Sequence, residues 1–99
     1  MKYIILIADL EELANQLGLK VRYEKGNFEG GFCILKEERL LVVNKKLPDP
    51  RRASVLAQAL NEYGIENVFV KPGLRQYIED EIAKKQGKIS ATPQSGRRV

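Results

Sequence analysis

The side chains in this sequence that could do chemistry are few, and the first constraint on them is an absence: none of the 99 residues is histidine. That removes the commonest general base and the commonest zinc ligand together. The single cysteine, Cys33, is the obvious candidate nucleophile. It follows Gly30-Gly31-Phe32, and glycine N–H groups beside a thiol can hold an oxyanion. No base can be named to activate it. Cys33 also lies in an apolar run, and free cysteine is among the most buried residue types, so a small core residue is the expectation. The two glycines would then serve a bulge or a close approach of strand and helix.

The acids Glu11, Glu12, Glu37, Glu38, Glu79, Asp80 and Glu81 fall on predicted helix surfaces or in a turn, with no spacing that pairs them for acid–base or two-metal work. Solvated faces are the expectation. There is no G-x-x-x-x-G-K-[ST] loop and no G-x-G-x-x-G fingerprint to cradle phosphates. The sequence therefore predicts no catalytic residue, no metal site and no cofactor.

Anion binding has two candidate positions. Lys45, Lys46, Arg51 and Arg52 surround Leu47-Pro48-Asp49-Pro50 at the start of a predicted helix, where unpaired N–H groups favour anions. The bland alternative is a solvated loop with Asp49 capping the helix. The other position is the end of the chain, where Lys84, Lys85, Lys88, Arg97 and Arg98 stand without an acid between residues 84 and 99. Those residues account for the formal net charge of +4, because residues 1–83 are close to neutral. Such a tail could grip phosphates electrostatically. It carries no aromatic residue on which a base could stack, and a solubilising terminus is the simpler reading.

The elements that must hold these residues follow from periodicity. Tyr3, Leu6, Ile7, Leu10, Leu13, Ala14 and Leu17 recur at three- and four-residue intervals, predicting one continuous helix closed by Gly18. A strand over residues 2–8 followed by a helix from Asp9 is the rival. Leu19 to Glu24 alternates as a half-buried strand. Phe32-Cys33-Ile34-Leu35 and Leu40-Leu41-Val42-Val43, joined by the charged turn Lys36-Glu37-Glu38-Arg39, predict a hairpin. Both of its arms are apolar on both faces, so a helix on each side or a second subunit should cover them. Asp49-Pro50 opens a second helix with Ala53, Leu56, Ala57 and Leu60 inward until Gly64. Val68-Phe69-Val70 is a candidate short strand. Pro72 starts a third helix that turns Leu74, Tyr77, Ile78 and Ile82 inward, with Asp80–Lys84 and Glu81–Lys85 pairs outside. From Gln86 onward no apolar period remains.

The expected fold class is α+β, a small antiparallel sheet of three strands, with a short fourth left open, packed with three helices in the order α-β-β-β-α-(β)-α. Residues 1–85 form the single domain and residues 86–99 a disordered basic tail. The apolar opening run meets Asp9 too early to span a bilayer and lacks a cleavage site, so no membrane role and a cytoplasmic location are expected.

The stretch Gly31-Phe32-Cys33-Ile34-Leu35, Leu40-Leu41-Val42-Val43-Asn44 and Pro50 to Leu60 resembles the core of ImmA/IrrE-type zinc peptidases, in which a hairpin ending in asparagine leads to a helix bearing H-E-x-x-H. Gln58, Ala59 and Glu62 stand where the first histidine, the glutamate and the second histidine would be. The resemblance covers about a third of the chain and implies a scaffold without its catalysis. The whole chain also resembles small uncharacterised bacterial proteins sharing its Leu-Gly, Val-Arg-Tyr-Glu, Gly-Gly-x-Cys and Asn-Lys-x-Leu-Pro pattern, which implies a bacterial source and no particular activity. The expected function is a non-catalytic protein-interaction module, with an unknown protein or a second copy as partner. A nucleic-acid-associated protein using the 45–52 cluster and the tail is the alternative.

Overall fold

The computed structural model describes residues 2–90, with side chains through Lys84. Helix α1 (Tyr3–Gln16) is continuous, as the apolar stripe requires, and buries Leu6, Leu10, Leu13 and Ala14. It ends in a Schellman turn: Gly18 N–H donates to Asn15 O (3.0 Å) and Leu19 N–H to Ala14 O (2.9 Å), with Gly18 at φ 81°. Strands β1 (Lys20–Glu24), β2 (Gly30–Leu35) and β3 (Glu38–Asn44) follow, then α2 (Asp49–Tyr63) and α3 (Pro72–Ser90). The fold class is α+β. Among the described residues no helix is long and apolar enough to cross a membrane.

The sheet corrects the expected antiparallel arrangement. Its order is β1-β3-β2: β2 pairs antiparallel with β3 as a hairpin, but β1 pairs parallel with β3, from Lys20 opposite Leu40 to Glu24 opposite Asn44. Between β1 and β2 the chain must therefore cross the end of β3. Asn44, only 7% exposed, meets that crossing. Its Nδ2 donates to Gly26 O (2.8 Å) and Phe28 O (2.7 Å), and its Oδ1 accepts from Lys46 N–H (3.0 Å). Gly30, which opens β2, could not carry a side chain, because a Cβ there would collide with the carbonyl of Val42. The close approach is thus to the neighbouring strand and not to a helix.

All the sheet residues that join the main core lie on one face: Val21 and Tyr23, then Phe32, then Leu41 and Val43, with Leu19 buried just ahead of β1. Helix α2 packs over β2 and β3 and between α1 and α3, burying the expected Ala53, Leu56, Ala57 and Leu60. Pro48 occupies its N-cap and Asp49 is already helical, so Asp49 makes no capping bond and contributes only charge to the first turn.

The expected strand at residues 68–70 is irregular chain. Val68 O at its start, and Ile65 O three residues earlier, accept from Arg75 Nη2 (2.9 and 3.1 Å), which fixes the loop without a ladder. On α3, Lys84 pairs with Glu81 one turn back (3.1 Å) in place of the expected Asp80, whose carboxylate accepts from Gln76 Nε2 (2.9 Å). The Glu81–Lys85 pair lies outside the described side chains. Helix α3 continues to Ser90, beyond the boundary expected at residue 85, and residues 91–99 lie outside the description.

The crossing loop supplies a stability prediction. Asn44→Ala leaves two sheltered carbonyls without donors and should cost about 2–3 kcal/mol in urea unfolding. Asn44→Asp, which keeps the size but loses the amide donor, should fail to rescue it.

Candidate functional site

The basic cluster expected to receive anions comes together only in part. Arg52 is turned inward across the loop between β3 and α2: its Nε donates to Leu47 O (2.9 Å), its Nη2 donates to Lys45 O, and its guanidinium lies 5.4 Å from the centre of the Tyr23 ring. Arg51 is paired with Glu29 at the end of the crossing loop. Lys45 and Lys46 are exposed and make no ion pair among the described residues. Two of the four cations thus have protein partners, and one of those two is a structural strut. A guanidinium can do this because its planar fork reaches two carbonyls at once.

Beneath Arg52, the Tyr23 hydroxyl donates to Glu11. Burial, then the hydrogen bond and negative charge of Glu11, push the Tyr23 phenol well above its ordinary range, with Arg52 opposing. Tyr77 is shifted upward too, first by burial and then by Glu81. Neither tyrosine is poised for proton transfer near neutral pH. Lys84, also in the expected basic set, has its ammonium held above the usual range by the hydrogen bond to Glu81. The side chains of Lys85 and Lys88, and all of Arg97 and Arg98, lie outside the described residues.

Cys33 is exposed, which corrects the expectation of a core residue. The physical reason is its parity in β2. In register with Leu40, it shares the face that carries Lys20, Arg22 and Glu24, and the helices cover the opposite face. The expected helix on each side of the hairpin is likewise not found among the described residues, whose helices cover one face. On this open face Leu40 is shielded by its central position, while Leu35 at the end of β2 is 53% exposed. Ile34, on the helix side but beyond the helices' reach, is 64% exposed. Sequence periodicity could not separate these residues from core, because an apolar run has the same appearance in a buried strand and in an edge strand.

Several shallow concavities lie among the described residues, including one of about 340 Å3 bordered by Lys20, Glu38 and Arg39 and one of about 270 Å3 bordered by Ile5, Lys71 and Gly73; two others show what they offer a small ligand. The cleft between α1 and the chain around Val70, lined by Asp9, Leu13, Phe69 and Leu74, encloses about 120 Å3, well short of the several hundred of ordinary ligand sites. A wider groove passes Tyr3, Tyr77 and two ion pairs, Arg51–Glu29 and Lys84–Glu81, so its cations are already neutralised by its acids. Among the described residues, no group of three or more histidine, cysteine or acidic side chains is placed to hold a metal ion. Where the peptidase scaffold would bear its catalytic set, Gln58 donates to Ser54 Oγ (2.9 Å), Ala59 is buried and Glu62 is exposed. Phe69, 81% exposed at the rim of the smaller cleft, was not legible as surface because its Val-Phe-Val setting has the pattern of a strand.

The division of labour among the cations is measurable. Arg52→Ala should lower stability by about 2 kcal/mol, while Lys45→Ala and Lys46→Ala should each stay within about 0.5 kcal/mol. The tyrosine shifts add a pH signature. A phenol whose folded pKa lies above the unfolded value leaves stability intact below about pH 10 and removes it as pH rises further. Unfolding free energy followed upward from neutral pH should fall in that window, and less steeply in Tyr23→Phe.

No family model, curated protein or solved structure matches this chain.

Proposed function

We propose that this chain is a non-catalytic, cytoplasmic protein-interaction module whose contact element is strand β2. The observation that carries the reading is the exposure of Ile34 and Leu35, together with Cys33, in a strand free of charge and proline at the margin of the sheet. Edge strands that must remain unpaired are ordinarily protected by lysine, proline or a bulge. The other margin, β1, has that protection in Lys20, Arg22 and Glu24. The neutral balance of residues 1–83 and the engagement of Arg51 and Arg52 weigh against phosphate as the principal ligand.

The test is affinity capture from lysate with full-length bait, compared with baits carrying Ile34→Lys with Leu35→Lys, or Lys45→Ala with Lys46→Ala, each with and without nuclease. Proteins retained after nuclease should fall roughly tenfold with the β2 bait, a loss of about 1.4 kcal/mol, and persist with the lysine-to-alanine bait. Recovery that disappears with nuclease, or that follows Lys45 and Lys46, would replace this reading with nucleic-acid association.

A further inference from the structure

We infer that the partner of β2 is β2 of a second copy of this chain, joined edge to edge by a two-fold axis through Cys33. The inference rests on the reading of β2 as the contact strand and adds the identity of what it contacts.

The backbone is the starting point. In an antiparallel pair, residues that exchange hydrogen bonds alternate with residues that do not. Asn44 N–H donates to Glu29 O (2.9 Å), and the β2–β3 register continues that pairing through Gly31 opposite Val42, Cys33 opposite Leu40 and Leu35 opposite Glu38. Gly31, Cys33 and Leu35 therefore direct their peptide groups at β3. Phe32 and Ile34 direct theirs at the outer edge, where no described strand pairs.

Symmetry then limits the register. A two-fold perpendicular to the sheet returns each side chain to its own face, so it must pass through a residue of β2 and not between two residues. Centred on Cys33, it sets Phe32 of each copy opposite Ile34 of the other, the two residues whose donors and acceptors are free. Each such pair can exchange both of its peptide hydrogen bonds.

The side chains agree with that register on both faces. On the helix side, half-buried Phe32 meets exposed Ile34, an aromatic and β-branched cross-strand pair of the favourable kind. On the open side, Leu35 lies opposite Gly31, where nothing stands within 4 Å of the position a Cβ would take. Large therefore faces empty, twice by symmetry. Residues 30–35 carry no charge, so the strand opposes none of its own sign. The result is a continuous six-stranded sheet with charged β1 at each margin and the helices of both copies on one side.

The one native cysteine reports on the arrangement. In this register the two Cys33 residues form a non-hydrogen-bonded pair, with Cα atoms about 4.5 Å apart. Full-length chain should sediment as a concentration-dependent dimer and give a covalent dimer with a short bifunctional thiol reagent. Cys33→Ser should abolish the cross-link and keep the dimer. Ile34→Pro removes an outward donor from each copy while sparing every β3 bond, and should weaken dimerisation roughly tenfold or more. Leu35→Lys, checked for native circular dichroism, should do the same if Ile34→Pro disturbs folding.

A chain that remains monomeric from micromolar to millimolar concentration overturns self-pairing. The capture experiment, which reads β2-dependent binding of other proteins, would then stand or fall separately. A dimer that does not cross-link through Cys33, or that ignores both substitutions, overturns it equally.

Discussion

Because β3 lies between β1 and β2, residues 25–29 have to pass over its C-terminal end, and the side chain of Asn44 is what meets them there. A chain crossing a sheet end has carbonyls turned toward protein instead of water, and each such group is costly if left without a donor. One carboxamide serves two of them while accepting from Lys46, and the backbone on either side closes the arrangement: Asn44 N–H reaches Glu29 O, and Lys45 N–H reaches Glu24 O. The same asparagine thus joins the end of β1, the start of β2 and the exit from β3.

The consequences spread outward from that strand order. With β3 central, β1 and β2 become the two margins, and their compositions differ sharply. The three helices are sufficient to cover one face of the sheet and are placed on it, with α2 in the middle contacting both its helical neighbours and two strands. No described helix covers the other face, and the crossing loop reaches only its Asn44 end. Its central residue, Leu40, is sheltered by neighbouring strands, its β1 side is charged, and its β2 side is left as glycine, cysteine and leucine. A small domain has little surplus structure with which to cover a second sheet face.

The loop leaving β3 shows how a cluster of like charge can belong to the fold. Arg52 binds two carbonyls of that loop and lies over Tyr23, whose hydroxyl in turn holds Glu11 of α1. Sheet, loop and two helices are linked through that series of contacts. Arg51, one residue away, points toward Glu29 of the crossing loop. Adjacent residues of one charge thus go to different parts of the structure, with only the two lysines left to solvent.

Local pattern determined much of this protein. The apolar stripe of α1 and its glycine stop, the alternation of β1, the β2–β3 hairpin and the inward residues of α2 and α3 are all properties of neighbours within a few positions, which periodicity reports directly. The absence of histidine likewise constrained the chemistry before any fold was known. Tertiary structure alone decided the strand order, because a parallel β1–β3 pair depends on what Asn44 does for a loop some eighteen residues earlier in the chain. It also decided that Cys33, Ile34 and Leu35 face outward, since an apolar strand is core or surface according to what lies beside it. And it separated the arginines that brace the fold from the lysines that do not, because a charge reveals its partner only when the chain has brought one within reach.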